Sequence, residues 1–338
     1  MELLEKTPAD LEKEFYSKKF YLSYSGLSKL LYSPSLFYRH YILQQREEKL
    51  DTHLIDGKVI HCLLLDDGSF DKQFMLSPAS LPTGNTKLVV DKVMDHRNTL
   101  EVVKELDTLK DYSDVIIDIL KEINLHQSLK TDAQRIEKIT SYEAESYFQF
   151  LMVKGSRNII DQETLQRCNE AVAAVRDNSQ ACNLLGLIRH EMENIDIFNE
   201  VPMESELKDR PFGIKGIIDS IKVDYDKKIV YVNDLKTTGK TVTEFKESVE
   251  YFNYWTQAVM YLIMVRDNFK DLLTDDWTVV FTFIVVDKYN QVYPFEVTDN
   301  TMNEWLEKFT AKLDEFQWHY TQKNYKLPYL FATNQVML

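Results

Sequence analysis

The sequence predicts an α/β protein in which a central mixed sheet is flanked by helices, with an additional helical insertion. Two apolar runs, 213–223 and 229–236, enclose the polar turn 224–228, a pattern typical of a β-hairpin. A second hairpin-like pair, 277–287 and 291–298, is followed by a closing helix at 301–322. Helical periodicity runs through most of 87–185. Strands interleaved with helices favour an α/β core.

The N-terminal part, residues 1–86, is predicted to be mainly helical. A charged helical arm at 1–20 precedes an amphipathic helix at 24–31, for which Ser25 is a suitable N-cap. Pro34 ends that helix, and a second one is expected at 35–45. His61 lies in an apolar helical run, and the loop residues of 66–86 predict a connection.

Two further parts complete the predicted domain organisation. Residues 87–190 form a helical insertion, with helices expected at 88–105, 112–123, 130–150 and 161–177. Residues 191–338 form the core, which begins with a strand at 200–207. The two hairpins follow, separated by an amphipathic helix that continues to about Val265.

The composition is that of an ordinary globular protein, with 338 residues, 44% hydrophobic and 28% charged. The acidic start lacks the apolar segment of a secretory signal, so we expect a cytoplasmic protein. The three cysteines are scattered, too few to hold an iron–sulfur cluster, and we expect them to be buried. The net charge of −14 argues against broad wrapping of nucleic acid, although a narrow basic channel is compatible with it.

The first hairpin concentrates the residues that suit chemistry. Side chains alternate along a strand, so Asp234 and Lys236 project to one side while Leu235 points away. Asp219, inside the preceding strand, would then lie close to Asp234. Two carboxylates and the Leu235 carbonyl suit a hard divalent cation such as Mg²⁺. The lysine could polarise a bound water or stabilise charge on a phosphorus centre. The alternative is a surface salt bridge between Asp234 and Lys236.

Taken together, Asp219, the run Asp234-Leu235-Lys236-Thr237-Thr238 and the pair Gln257-x-x-x-Tyr261 resemble the PD-(D/E)xK nuclease superfamily. The closest likeness is to its RecB-like and RecE-like branch of phage-type exonucleases. The resemblance implies a restriction-endonuclease-like core and a Mg²⁺- or Mn²⁺-dependent DNA exonuclease of phage-type recombination, replication or repair. The basic residue common before the first catalytic aspartate is missing, and Asp234 stands where glutamate is commoner.

The resemblance also assigns roles to individual residues. Gly57-x-x-x-His61 matches an element that supplies an imidazole to the metal, whereas His61 alone would favour a buried core histidine. Glu204 or Glu200 matches the auxiliary acidic residue, and Glu204 is favoured. The implied metal ligands are His61, Asp219, Asp234 and the Leu235 carbonyl, with Lys236, Gln257 and Tyr261 as further catalytic residues. The residues expected near DNA are Lys29, Arg39, Lys58, Thr237 and Thr238.

The sequence leaves two alternative functions open. One is a sequence-specific or structure-specific endonuclease, and another is a nuclease-fold accessory protein that binds DNA without cutting it. The implied partner is DNA with free ends, and the further partners are a second copy of the chain or a single-strand annealing recombination protein. No membrane partner is expected, because no apolar run approaches the roughly 20 residues that span a bilayer.

Overall fold

A computed structural model describes residues 6–45, 52–78, 80–100, 107–188 and 194–336. The chain divides into two compact units, one made of Met1–Asp67 with Asn169–Leu338 and the other of Gly68–Cys168. The predicted domain limits at 86 and 190 stay a prediction.

The helices of the described residues are, in chain order, α1 Pro8–Ser17, α2 Tyr24–Tyr32, α3 Pro34–Phe37, α4 Thr52–Leu65, α5 Phe70–Gln73, α6 Gly84–Asn98, α7 Ser113–Glu122, α8 Asp132–Ile139, α9 Tyr142–Lys154, α10 Gln162–Asp177, α11 Ser179–Leu185, α12 Phe245–Tyr251, α13 Tyr254–Asn268, α14 Asp299–Gln322 and α15 Tyr329–Ala332. The strands are β1 Tyr21–Leu22, β2 Phe74–Leu76, β3 Asn158–Ile160, β4 Ile195–Glu206, β5 Gly213–Asp224, β6 Ile229–Thr238, β7 Thr278–Asp287 and β8 Val292–Val297. A π-helical turn follows α3 at Tyr38–Ile42.

The sheet of the first unit is mixed and contains six of these strands. β5 pairs antiparallel with β4 along the length of β5. The C-terminal end of β5 also pairs antiparallel with β6, and the first two residues of β5 pair parallel with β1. β6 lies parallel to β7, and β7 antiparallel to β8. The predicted α/β class with a central mixed sheet flanked by helices is therefore confirmed. In the second unit, β2 and β3 form a short parallel pair.

Both predicted hairpins form as the sequence indicates. The turn after Asp224 is closed by Lys227, whose backbone N–H donates to the Asp224 side chain at 3.0 Å, and by Lys228 at φ +55°. Such a left-handed residue is common in tight turns. β4 begins five residues earlier than the predicted strand, because its alternating residues 195–199 pair with the far end of β5.

Three sequence predictions differ from the structure, two of them because of local capping. The N-cap of α2 is Ser23, whose side chain accepts the Gly26 N–H at 3.1 Å, so Ser25 lies in the first turn. The helix predicted at 130–150 is two helices, because Ser141 caps a new one at α9. The connection predicted at 66–86 contains α5 and β2. Part of the helix predicted at 88–105 lies outside the described residues.

Each unit has its own hydrophobic core. In the first unit the side chains of α13 and α14 pack with those of the sheet, and the ring centroids of Phe212 and Phe316 are 4.6 Å apart. In the second unit the core gathers residues of α6, α7 and α9. All three cysteines are buried, as expected from the sequence. Within the described part of the chain, the helices are too short or too polar to cross a membrane.

Candidate active site

The candidate active site lies where β5 and β6 separate. Their pairing ends at Ser220 and Asn233, whereas β6 continues beside β7 as far as Thr238. Asp219 occupies the fork, and its Oδ2 accepts the backbone N–H of Leu235 at 2.7 Å. The Asp219 carboxylate therefore accepts from a backbone N–H that would otherwise donate to a neighbouring strand, and this contact fixes the carboxylate against β6.

α4 brings His61 to the same fork. Its Nε2 donates to the Leu235 carbonyl at 2.8 Å, since a carbonyl can only accept. Nδ1 then faces two carboxylates, with Asp219 Oδ2 at 3.7 Å and Glu200 Oε1 at 3.6 Å. One ligand atom from each of these three side chains lies within 4.8 Å of the other two. A histidine that donates one ring N–H to a carbonyl presents its other nitrogen in the way metal-binding histidines do.

Gly57 sets how closely α4 approaches β6. It lies one helical turn before His61, and a Cβ at this position would come within 3.2 Å of Thr237 Oγ1. A Cβ at that distance would require the Thr237 side chain to shift by a few tenths of an ångström. The spacing Gly57-x-x-x-His61 thus has a steric reason, because the small residue lets the imidazole one turn later reach the strand backbone.

The second carboxylate of this cluster comes from Glu200 on β4. The ladder pairs Asn199 with Ser220 and Val201 with Ile218, so Glu200 lies opposite Asp219. It has φ +51°, which is uncommon for a residue other than glycine and interrupts the strand at this point. Such local strain is frequently found at functional sites.

Glu204, the residue favoured as the auxiliary acid, lies away from Asp219, and its role stays a prediction. Glu204 is exposed and pairs with Lys215 in the ladder. It is four residues further along β4 than Glu200, about 13 Å away at the rise of an extended strand. Alternation places both residues on the same face of the strand, so spacing along the sequence could not distinguish them.

Asp234 and Lys236 project to the same side of β6, with Leu235 1% exposed between them. Lys236 Nζ lies 2.6 Å from Asp234 Oδ2 and 4.9 Å from the ring centroid of Tyr254. Asp234 is fully buried, and its Oδ1 has no hydrogen-bond partner among the described residues. Sequence reasoning missed Tyr254, although it lies three residues before Gln257 and so belongs to the same face of α13.

The electrostatics of the cluster show an excess of negative charge. Burial, reinforced by the charge of Asp234, raises the pKa of Asp219 to about 7. Burial alone would lower the pKa of His61, but Asp219 and Glu200 outweigh it and raise the value to about 9. Burial would likewise lower the pKa of Lys236, yet Asp234 and Asp219 raise it. Protons are therefore retained on groups that crowd together, which is the behaviour expected of a site that suits a cation.

Gln257 and Tyr261 contact the sheet beside this cluster. Gln257 Nε2 donates to the Tyr261 hydroxyl at 2.8 Å, and the hydroxyl donates to the Ile217 carbonyl at 2.5 Å. Burial, together with the charge of Asp234, raises the pKa of Tyr261 well above its ordinary value. These hydrogen bonds go to β5 rather than to Lys236, so the pair holds the strand two residues before Asp219.

The predicted DNA-contacting residues lie on several elements of the first unit. Arg39 and Lys58 are exposed, on the π-helical turn and on α4 respectively. Lys29 is half-buried on α2, with its Nζ 6.0 Å from the ring centroid of Tyr41. Thr237 and Thr238, at the end of β6, are also half-buried, and Thr238 Oγ1 accepts the Lys240 N–H at 3.1 Å. Their contact with DNA stays a prediction.

The chain is similar to known proteins both in sequence and in structure. The model of the PD-(D/E)XK nuclease superfamily matches residues 118–325. No curated protein matches the chain. A solved structure from Eubacterium rectale, described as a candidate exonuclease, is similar over 93% of this chain and 85% of its own, with 14% identity and a TM-score of 0.46. The structure of SSO0001 is similar over 68% of this chain and 87% of its own, with 10% identity and a TM-score of 0.22.

Proposed function

Because the chain belongs to the PD-(D/E)XK nuclease superfamily, we propose that it is a metal-dependent DNA exonuclease of the RecB-like and RecE-like, phage-type branch. The observation that carries the proposal is the convergence of His61, Glu200 and Asp219 beside the Asp234–Lys236 pair. Carboxylates, an imidazole and a lysine at one fork of a sheet suit the hydrolysis of a phosphodiester bond. In this proposal the enzyme acts in DNA recombination, replication or repair.

The residues fit a divalent cation such as Mg²⁺ or Mn²⁺. Asp219, Glu200 and His61 would hold it, and Asp234 offers an oxygen that has no hydrogen-bond partner among the described residues. Oxygen ligands suit both ions, and the imidazole suits Mn²⁺ better. When bound, the ion supplies the Lewis acidity that stabilises negative charge on the phosphoryl oxygens. The Leu235 carbonyl, which accepts from His61, stays a further predicted ligand.

Lys236 acts in this proposal as a donor rather than as a base. The charges of Asp234 and Asp219 raise its pKa in spite of burial, so the ammonium keeps its proton. It can orient the attacking water and stabilise the charge that develops on the phosphate oxygens. Asp234 holds the ammonium in place at 2.6 Å, and the Tyr254 ring lies beneath it.

Digestion of end-labelled linear duplex DNA in Mg²⁺ or Mn²⁺ tests the proposal. We expect Asp234→Asn and Lys236→Met to lower the rate by at least about 100-fold, as removal of one charge-stabilising donor does in other enzymes. Lys240→Met is the matched control, because Lys240 is exposed and pairs only with Glu247 at 3.0 Å among the salt bridges described. Full digestion by either active-site variant would contradict the assignment.

Two other functions are separated by simple measurements. An endonuclease would cut closed circular DNA, which an enzyme that requires ends leaves intact. An accessory protein that binds DNA without cutting it would show no Mn²⁺ binding at millimolar concentration in calorimetry. The proposed exonuclease should bind Mn²⁺ and spare the circle. A second copy of the chain or an annealing protein as partner stays a prediction.

A further inference from the structure

A cleft of about 650 Å³ opens beside the fork. β1 covers β5 only as far as Ile214, and β6 joins it only from Ser220 onwards, so the intervening edge of β5 has neither strand beside it. The cleft lies along this gap, lined by the start of α2, by the facing part of β4 and by α13. Ile217 and Gln257 both line the cleft. Ile217 lies two residues before Asp219 on β5, and Gln257 is linked to the Ile217 carbonyl through the Tyr261 hydroxyl.

The orientation of the Gln257 amide follows from its hydrogen bonds. The Ile217 carbonyl can only accept, so the Tyr261 hydroxyl must donate its single proton there. The hydroxyl oxygen then accepts, which requires the NH₂ group of Gln257 and not its carbonyl. Gln257 Oε1 is left with no partner among the described residues, although the side chain is only 8% exposed. A buried acceptor of this kind needs a donor from a ligand or a water.

The remaining lining of the cleft is largely apolar. Tyr24, Met203 and Tyr261 contribute side-chain surface, and Ile217 is 54% exposed although it is a large aliphatic residue. An acceptor at the edge of an apolar slot complements a flat ligand that carries an N–H group on its rim. A phosphate oxygen that lacks a proton can only accept a hydrogen bond, so it cannot satisfy the Gln257 acceptor. The charges of Glu204 and Lys215, which both line the cleft, oppose one another.

We propose that this cleft binds the base of a nucleotide next to the phosphodiester that is cut, with Gln257 Oε1 accepting an N–H from its pairing edge. The inference rests on the proposed function and specifies its substrate. Each of the four DNA bases has an N–H donor on the edge used for pairing, so the contact is tolerant of sequence. It requires that the base be unpaired first, as in enzymes that read an extruded base.

Modified DNA ends test the proposal directly. Duplexes whose terminal nucleotides carry a natural base, a difluorotoluene that keeps the shape of thymine without its N–H, or no base are digested in Mg²⁺. We expect KM to rise about 5- to 150-fold without the base, the range found for loss of base stacking on aromatic side chains. Difluorotoluene should give an intermediate rise. Equal KM values for the three ends would overturn the inference and leave the nuclease assignment intact.

A binding measurement is independent of catalysis. In EDTA, dTMP should bind to the wild-type protein at least about 5-fold more tightly than deoxyribose 5-phosphate, by the same stacking contribution. Equal binding of the two would indicate a phosphate site and would overturn the inference, as would no binding of either at millimolar concentration. If dTMP binds but no DNA is cut, the base site stands and the nuclease proposal fails.

Ile217→Ser checks the location. It should weaken dTMP binding, because it removes apolar surface from the cleft. Tyr293→Ser is the matched control, since Tyr293 is also 54% exposed and does not line the cleft. Equal effects of the two substitutions would contradict the placement. Thermal unfolding of both variants establishes that they are folded.

Discussion

Replacing Asp219 with asparagine should separate stability from activity. Asparagine keeps the shape and an oxygen that can accept the Leu235 N–H, but it removes a charge that is 92% buried beside Asp234. We expect Asp219→Asn to unfold at higher denaturant concentration than the wild type when no metal is present. The same substitution should abolish digestion of DNA, because it removes a charged ligand.

The magnitude follows from the electrostatics of the fork. Burial and the charge of Asp234 raise the pKa of Asp219 from 3.8 to about 7. At about 1.4 kcal/mol for each pKa unit, that difference corresponds to about 4 kcal/mol. A carboxyl group whose folded-state pKa is raised contributes stability below its unfolded pKa, and that contribution is lost as the pH rises through 7. At pH 8 the ionised group is therefore unfavourable, and its removal should stabilise the metal-free protein by about 2 to 4 kcal/mol.

Urea denaturation at pH 8 in EDTA measures the difference in the free energy of unfolding between the wild type and Asp219→Asn. The same denaturation is then repeated in Mn²⁺. Because Mn²⁺ would bind only to the native state, it should stabilise the wild type. The stability of Asp219→Asn, which lacks a charged ligand, should be nearly unchanged. Asp224→Asn is the matched control on the same strand. Burial would raise the pKa of Asp224, but the backbone N–H and the side chain of Lys227 lower it overall. That substitution should destabilise the protein by about 1 to 3 kcal/mol, since it weakens hydrogen bonds to a charged group.

A metal-free Asp219→Asn protein that is less stable than the wild type at pH 8 would refute the reasoning. It would mean that the carboxylate is stabilised by its hydrogen bond and by His61 more than it is opposed by burial and by Asp234. If Asp219→Asn were more stable but still digested DNA at the wild-type rate, the predicted catalytic role of Asp219 would be refuted.

Three further predictions follow from the same geometry. Glu200→Gln should weaken Mn²⁺ binding by about 10-fold or more in calorimetry, whereas Glu204→Gln, about 13 Å away along the strand, should leave it unchanged. Tyr254→Leu should lower kcat by about 10-fold with little change in KM, because it removes the ring beneath the Lys236 ammonium, and Tyr254→Phe should retain activity. Burial raises the pKa of Tyr16 to about 12. Its unfolded form ionises near 10, so the free energy of unfolding should fall as the pH rises from about 10 to 12, and Tyr16→Phe should lessen that slope by up to about 1.4 kcal/mol per pH unit.

The sequence predicted those parts of the site that depend on local spacing. Asp234 and Lys236 are two residues apart in a strand, so their common side follows from the alternation of side chains. Gln257 and Tyr261 are one helical turn apart, and their contact follows in the same way. Glu200 and Glu204 share one face of β4, and local rules cannot show which of them faces Asp219.

The sequence by itself determined the α/β class, both hairpins and the chemistry available along them, because turns and periodicity act over a few residues. Only the tertiary structure decided that β5 pairs with β6 no earlier than Ser220, that Asp219 fills the fork and that α4 brings His61 to the Leu235 carbonyl. It also decided that Tyr254 lies beneath Lys236 and that Gln257 is left with an open acceptor in a cleft. These contacts join residues up to 174 positions apart. They depend on how strands pair and on how closely a helix approaches a sheet, which no local pattern encodes.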